Sequence, residues 1–246
     1  MQTVTIGPND AGQRVDKFLQ KNYQNLPVSM MYKAIRQKDI KLNGRRCQIS
    51  DRLREGDVLT LYVRDEFLEK TPPVYDFLSA SRRLDIVYED ANLLLLDKKA
   101  GLLVHPDAGE YGDTLIGRVQ RYLYEKGEYD PEREQAFAPA LVNRIDRNTS
   151  GIVIAAKNAE ALRILNDKLR NREIHKYYLC IVHGLPEPRE ATLEGYLEKN
   201  EEQNRVYILK KAKTGARTIA THYRVLEERD GLSLLEVELL TGRTHQ

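Results

Sequence analysis

The sequence predicts an α+β fold, because it holds many short strand-like segments and few helical ones, without the regular strand-helix alternation of a parallel sheet. This pattern is typical of a mixed or antiparallel sheet flanked by helices. The chain has 246 residues, of which 41% are hydrophobic, so it has the length for two domains and the apolar content for their cores. We expect a small N-terminal domain, 1–66, a linker, 67–83, and a larger domain, 84–246.

The first quarter of the chain predicts a compact module of two helices and a small sheet. Apolar residues recur at helical spacing within 15–23, and a second helix is expected from Ser29, whose hydroxyl can cap it, to Arg36. Asn43 and Gly44 then form the strongest local hairpin signal in the chain. A closing strand is expected within 56–63.

Positive charge is concentrated in this module. Between Arg14 and Arg54 there are eleven basic and three acidic residues, an excess of eight charges, whereas the whole chain carries only +2. A polyanion is the natural partner for such a patch, and the alternative is a basic face that only meets solvent.

Four pieces of this segment, in order over residues 12–63, resemble the alpha-L RNA-binding fold of a small-subunit ribosomal protein and of many RNA-modifying enzymes. They are the RVDKFL opening, the helix after Ser29, the KDIKLNG turn and the Gly56-Asp57 pair. The resemblance implies binding to structured RNA through shape and phosphates. The side chains expected to contact RNA lie along the second helix and the hairpin: Lys33, Arg36, Lys38, Lys41, Arg45 and Arg46.

The remainder of the chain predicts the sheet of the larger domain. The linker contains Pro72 and Pro73, which disfavour regular structure. Helices are expected at 113–127 and 159–174. Strands are expected within 84–90, 92–101, 150–158, 175–184, 205–211, 218–228 and 232–240.

Several classes of function and location are disfavoured by what the sequence lacks. It has no apolar run near the roughly 18 residues that span a bilayer and no signal-like start, so we expect a cytoplasmic protein without membrane contact. Cys47 and Cys180 are far apart, and the five histidines show no ligand spacing, which gives no reason to expect a disulfide or a metal. No GxGxxG motif follows a strand, and Gln13 stands where a phosphate-binding loop needs lysine, so we expect neither a nucleotide nor a redox cofactor, and no metal cofactor.

The segment NRIDRNTSG holds the strongest candidate for catalysis. Asp146 lies between Arg144 and Arg147, and nearby positive charge favours the ionised carboxylate that a nucleophile requires. The alternative is that Asp146 only anchors its loop, through the hydroxyls of Thr149 or Ser150.

The same segment resembles the catalytic motif of the RluA-type pseudouridine synthases, commonly HRLD followed after two residues by TSG. Three further motifs of that family follow the same order: LLLLDKKAGLLVHP at 93–106, HKYYLCIVHG at 175–184 and LLEVELLTGRTHQ at 234–246. With the N-terminal module, the resemblance covers residues 12–246. Two departures are Asn143 in place of the usual histidine and Lys99 in place of the usual proline.

The resemblance implies a role for each matching residue. Asp146 falls on the family's nucleophile, Tyr178 on the active-site tyrosine, which stacks on the base or carries a proton, and Arg243 on the arginine that pairs with the aspartate. Substrate-binding roles are implied by motif position for Arg144, Arg147, Thr149, His105 and Lys98. Relatives continue past Gln246 with another helix and further strands, so the C-terminal part of the domain is expected to be missing here.

The resemblance also implies the reaction, which converts uridine to pseudouridine in a structured RNA. The bond from ribose to the uracil nitrogen is broken and a ring carbon joins the same sugar carbon, so no cofactor is needed. The target base must leave its stack, and Asp146 then attacks either the sugar carbon or the uracil ring. Large-subunit ribosomal RNA is the expected substrate, transfer RNA is the alternative, and the protein is expected to be a monomer.

Two other functions are compatible with the residues alone. In one, the basic module binds RNA and the larger domain has no activity. In the other, Asp146 belongs to a hydrolase of glycosides or nucleosides, which needs a second carboxylate about 5 to 10 Å away.

Overall fold

The computed structural model of the protein describes residues 1–69, 75–107, 112–134, 136–200, 205–243 and 246. Within them the chain divides into two compact units, 1–166 and 167–246. Pro72 and Pro73 of the predicted linker lie outside the described residues, as do Thr244 and His245 of the last motif.

The N-terminal module has the two helices, the hairpin and the closing strand that the sequence predicts. Its elements are β1 (Gln2–Thr5), α1 (Val15–Asn22), α2 (Val28–Gln37), β2 (Ile40–Leu42), β3 (Arg45–Arg46) and β4 (Val58–Leu61). The four strands form an antiparallel sheet in the order β1-β4-β2-β3. β1 was not predicted, because so short a segment becomes a strand only through its pairing with β4.

A continuous apolar core supports this module. Val15, Phe18 and Leu19 of α1 are fully buried, as the helical spacing requires. The hairpin turn uses positive φ at both Asn43 and Gly44, the conformation for which this residue pair is favoured. The sheet and both helices therefore hold the basic residues on a rigid scaffold.

Ser29 does not cap α2, so this part of the prediction is wrong. The helix begins at Val28, with Pro27 in the capping position and no side-chain hydrogen bond at that end. Proline suits a helix start because its fixed φ matches the helix and it has no N–H to satisfy. The carbonyl of Pro27 accepts the N–H of Met31, which places Ser29 inside the first turn.

A second antiparallel sheet lies in the first unit and confirms the predicted α+β class. Its strands are β5 (Ile86–Glu89), β6 (Leu93–Lys98), β7 (Ala140–Leu141) and β8 (Gly151–Ala156). Along the chain, helix α3 (Leu115–Glu125) precedes β7, and helix α4 (Ala159–Arg170) follows β8 and runs across the boundary between the two units. The strand order is β5-β6-β8-β7. α4 ends four residues before the predicted 174, because Arg172 adopts a left-handed backbone with φ of 60°.

The described part of the predicted linker contains two short 3₁₀ turns, at Asp65–Phe67 and Asp76–Ser79. Phe77 in the second turn is buried and packs edge-on against Tyr124. Arg121 of α3 donates to the carbonyl of Leu78 at 2.7 Å. Residues 75–80 are therefore attached to α3, and the boundaries 1–66, 67–83 and 84–246 stay a prediction.

A charged cluster joins the end of α3 to the sheet. Lys126 and Lys157 both donate to Oε1 of Glu89, at 2.7 and 2.8 Å, and the Tyr122 hydroxyl donates to Oε2 at 2.7 Å. Burial alone would raise the pKa of Glu89, but these hydrogen bonds outweigh it and hold the pKa at about 2. The carboxylate side chain is only 19% exposed. The cluster therefore stabilises the fold through the ionised form of Glu89.

We expect Glu89→Gln to lower the free energy of unfolding at pH 7 by about 1–3 kcal/mol. The pKa of Glu89 is lower in the folded chain than in the unfolded chain. Its ionised carboxylate therefore stabilises the fold above about pH 4.5, and this stabilisation is lost as the pH falls toward about 2. The free energy of unfolding, measured with urea between pH 7 and pH 3, should thus fall less steeply for the variant than for wild type. The control is Glu66→Gln, which removes an exposed carboxylate. Equal acid profiles for Glu89→Gln and wild type would contradict the stabilising role.

The second unit contains a five-stranded antiparallel sheet. Its strands are β9 (Tyr177–His183), β10 (Glu190–Asn200), β11 (Arg205–Leu209), β12 (Arg217–Arg229) and β13 (Leu232–Leu239). They lie in the order β11-β10-β12-β13-β9. β10 was missed, because charged residues and Gly195 interrupt its apolar pattern, and pairing with β12 forms the strand nevertheless. Among the described residues, no helix is long and apolar enough to cross a membrane.

Candidate active site

Asp146 lies on the loop that joins β7 to β8 in the first unit. Ile145 is buried, whereas its neighbours Arg144, Asp146 and Arg147 are exposed. The N–H of Thr149 donates to the carbonyl of Asp146 at 3.1 Å and closes a turn. The buried isoleucine therefore anchors the loop and leaves the carboxylate and two guanidinium groups at the surface.

Lys98, at the end of β6, is buried beneath this loop with 1% of its surface exposed. Its ammonium donates to the carbonyls of Lys99, Leu102 and Arg147, at 3.0, 2.8 and 2.9 Å. Burial lowers the pKa of Lys98, and the charge of Asp146 partly opposes that shift. Lys98 therefore ties the turn after β6 to the Asp146 loop from below.

Gly101 adds two hydrogen bonds between the turn after β6 and the Asp146 loop. Its N–H donates to the Arg147 carbonyl at 2.8 Å, and Nε of Arg147 donates back to the Gly101 carbonyl at 3.1 Å. Gly101 has φ of 91°, which disfavours any residue with a side chain. The lysine-glycine turn of the 93–106 motif and the Asp146 loop thus form one hydrogen-bonded assembly.

Asn143 fixes the other side of the loop to β8. Its side-chain amide donates to the Ile152 carbonyl at 3.2 Å and accepts the N–H of Ile154 at 2.8 Å. In the sequence, this residue stands out only as a departure from the family motif. An asparagine amide is both donor and acceptor, so it can pair with a strand edge as a backbone peptide does.

His105 and Arg144 lie close enough to interact electrostatically. The pKa of His105 is lowered, first by partial burial of the ring and then by the Arg144 guanidinium. A neutral imidazole at pH 7 follows from this direction. The structure thus brings Lys98, His105, Arg144 and Arg147 to the neighbourhood of Asp146, all within the first unit.

Tyr178 belongs to the second unit. It lies on β9 opposite Val237 of β13 and is half-buried, on the same face as Cys180 and Val182. Those two side chains pack on the small apolar cluster of that sheet. Tyr177 points to the opposite face and is 58% exposed.

Arg243 lines a cavity of about 370 Å³ in the second unit. Its Nε donates to the Thr218 carbonyl at 3.4 Å. The pKa of Lys176, in the same cavity, is lowered by burial, then by Arg172 and Arg243. The cavity is therefore rich in positive charge, and the predicted pairing of Arg243 with Asp146 stays a prediction.

The predicted RNA-contacting residues lie on the surface of the module. Five of them are exposed: Lys33, Arg36, Lys38, Arg45 and Arg46. Lys41 is half-buried, and its ammonium lies 5.1 Å from the ring centre of Tyr62. Arg14 is instead paired with the buried carboxylate of Asp16, so this member of the basic stretch has a structural partner.

The family model described as RNA pseudouridylate synthase matches residues 92–246, and that of the S4 domain matches residues 13–59. The chain belongs to the RNA pseudouridylate synthase family. The synthase contains an S4 RNA-binding domain and an RluA-type catalytic domain, as the motifs predicted. It is an isomerase that acts on RNA, which decides against both the inactive RNA-binding protein and the hydrolase.

Named relatives agree with this assignment. The synthase is 34% identical to the ribosomal large subunit pseudouridine synthase C of Vibrio cholerae, over all of this chain and 75% of that protein. It is 27% identical to an uncharacterized RNA pseudouridine synthase of Bacillus subtilis, over 99% of this chain and 76% of that one. The chain thus spans about three quarters of the length of these relatives.

Solved structures support the fold. Human RNA pseudouridylate synthase domain containing 4 aligns with a TM-score of 0.52 and 20% identity, over 66% of this chain and 61% of that one.

Among the described residues, no group of three or more histidine, cysteine, aspartate or glutamate side chains is arranged to hold a metal.

Proposed function

We propose that the synthase converts uridine to pseudouridine in large-subunit ribosomal RNA, with Asp146 as its nucleophile. The observation that carries the proposal is the exposed carboxylate of Asp146 between two exposed arginines, on a loop held by Lys98 and Asn143. The ribosomal substrate rests on the name of the Vibrio cholerae relative, a ribosomal large subunit pseudouridine synthase.

The proposed chemistry rearranges one nucleotide without loss of atoms. The uridine leaves its stack and enters the catalytic domain, at a cost of a few kcal/mol. Asp146 provides the nucleophile while the bond from ribose to the uracil nitrogen is exchanged for a bond to a ring carbon. Because the loop is hydrogen-bonded to the sheet on both sides, the carboxylate needs little reorganisation to reach the reacting atoms.

The other site residues take supporting roles in this proposal. Arg144 and Arg147 favour the ionised carboxylate and bind the backbone of the target nucleotide, together with His105 and the Thr149 segment. Tyr178 contacts the flipped base. Arg243 orients the carboxylate of Asp146.

In this proposal, the S4 domain increases the affinity for RNA by contacting phosphates of the folded RNA. Lys33 and Arg36 lie one turn apart on the exposed side of α2, and Arg45 and Arg46 extend the basic surface along β3. Phosphate contacts of this kind bind RNA tightly at low salt and offset the cost of unstacking the base.

Replacing Lys33 and Arg36 together with glutamine should weaken binding to a ribosomal RNA transcript and flatten its salt dependence. Each lost phosphate contact reduces the slope of log Kd against log salt by about 0.7–0.9. The measurement is Kd by filter binding between 50 and about 300 mM salt. Arg133→Gln, an exposed arginine outside the S4 domain, is the control. An unchanged slope in the double variant would contradict the assignment of this surface.

The substrate proposal is tested by offering the synthase both candidate RNAs. Large-subunit ribosomal RNA and transfer RNA, each transcribed without modification, are incubated with it and digested to nucleosides, and pseudouridine is quantified by mass spectrometry. Pseudouridine in the ribosomal RNA alone is the expected result. Pseudouridine in the transfer RNA alone would contradict the proposed substrate.

A cytoplasmic location and a monomeric state stay predictions.

A further inference from the structure

The S4 domain contains a cavity of about 310 Å³ that no catalytic role uses. It lies between α2 and the segment after β3. Its lining includes Tyr32, Ile35, Arg36, Arg46, Cys47 and Ile49. The size is at the lower end of small-ligand pockets, roughly 300–1,000 Å³, which suits one planar ring.

The local structure explains why this cavity has an apolar interior and a basic rim. Tyr32, Ile35 and Arg36 lie three and four positions apart, so they share one face of α2. Ile35 and Cys47 are buried and form the floor, whereas Ile49 is 39% exposed at the edge. An exposed isoleucine beside an aromatic ring offers apolar contact to a partner.

Two cations at the rim are available to that partner. Arg36 and Arg46 are exposed, and within the described part of the chain neither has a carboxylate within 4 Å. Acidic residues are scarce in this domain, which has eight more basic than acidic residues between Arg14 and Arg54. The partner is therefore expected to be an anion that also carries a flat apolar group.

We propose that this cavity binds one unstacked nucleobase of the RNA, with Arg36 and Arg46 on the phosphates that flank it. The inference rests on the proposed binding of RNA by the S4 domain and adds a base contact to it. A nucleobase fits because every base has an apolar face that stacks on an aromatic ring, and every base in a loop or bulge is flanked by phosphates. Such a contact selects RNAs with an unpaired nucleotide at a fixed distance from the target uridine.

The test compares two hairpin RNAs of equal charge, one with an ordinary single-stranded loop and one whose loop riboses all lack bases. Binding of the full chain to each is measured by fluorescence anisotropy. Wild type should bind the ordinary hairpin about 5- to 150-fold more tightly, the range that stacking of one base gives. Ile49→Ser should lose most of this preference and keep the salt dependence of binding. Val28→Ser, which changes an aliphatic residue of α2 that is 48% exposed, should keep the preference.

A second measurement does not depend on a variant. A hairpin with 4-thiouridine in its loop is irradiated on the wild-type synthase, and the cross-linked peptide is identified by mass spectrometry. Cross-links to Tyr32 or to residues 47–49 are expected.

Four outcomes would overturn the inference. A base preference that survives in Ile49→Ser, or cross-links confined to other parts of the chain, would show that bases bind elsewhere. Equal binding of both hairpins by a wild type that forms pseudouridine would leave the proposed function standing and remove the base site alone. Failure to bind either hairpin would remove the base site together with RNA binding by the S4 domain.

Discussion

Asp146→Ala should reduce pseudouridine formation by at least about 10⁴-fold and leave the stability of the chain nearly unchanged. The loss is expected because no other described carboxylate lies on the loop between β7 and β8. Stability is retained because the side chain is exposed and the turn depends on the backbone carbonyl of Asp146. Single-turnover release of tritium from the C5 position of labelled uridine in ribosomal RNA measures the rate.

Two variants separate the nucleophile from a general effect of charge. Asp146→Asn keeps the size and shape of the side chain but replaces the charged carboxylate by a neutral, weakly nucleophilic amide, so it should be as inactive as alanine. Glu160→Ala removes another exposed carboxylate, in the first turn of α4, and should keep full activity. A rate for Asp146→Asn within tenfold of wild type would show that Asp146 is a loop anchor.

Lys98→Met should have the second largest effect, because it removes three hydrogen bonds beneath the catalytic loop. Methionine fills a similar volume but leaves the Leu102 carbonyl without this donor and removes one of the two donors to the Arg147 carbonyl, the other being the Gly101 N–H. We expect the free energy of unfolding to fall by about 2–4 kcal/mol. The displaced loop should also lower kcat by about 10- to 100-fold, with a smaller change in KM. Urea unfolding and steady-state kinetics measure these two effects.

The neighbouring lysine provides the matched control. Lys99 has a side chain that is 58% exposed and pairs with Asp97 and Asp85 at the surface. Lys99→Met should therefore change the free energy of unfolding by less than about 1 kcal/mol and leave kcat nearly unchanged. If Lys98→Met lowered stability but kept the kcat of wild type, its hydrogen bonds would be structural without positioning Asp146.

Most of the fold was predictable because its signals are local. Apolar spacing predicted α1, and the Asn43-Gly44 pair predicted the hairpin. The missed strands have no such signal: β1 is four residues long, β7 is two residues long, and β10 contains charged residues and a glycine. Their strand conformation depends on partners that are distant in sequence, which no local pattern reports.

In the candidate site, too, some features could be predicted from local sequence, and others depend on partners that are distant in sequence. Asp146 and its flanking arginines could be found from charge and from the family motif. The contacts that hold them could not, because the Lys98 ammonium meets the Arg147 carbonyl across 49 sequence positions. Asn143 was noted as a departure from the motif, and its clamp on β8 depends on the geometry of the strand edge. Lys98 was predicted to bind substrate from its motif position, and that role stays a prediction; its hydrogen bonds to three backbone carbonyls were not predicted.

The most direct test of the central claim maps pseudouridine on large-subunit ribosomal RNA after incubation with wild type or Asp146→Ala. Carbodiimide labels pseudouridine, and reverse transcription then stops beside each labelled site. We expect a new stop with wild type at one or a few uridines and none of these stops with Asp146→Ala. Stops of equal strength with both proteins would contradict the assignment of Asp146, and the absence of new stops with an RNA-bound wild type would contradict the proposed substrate.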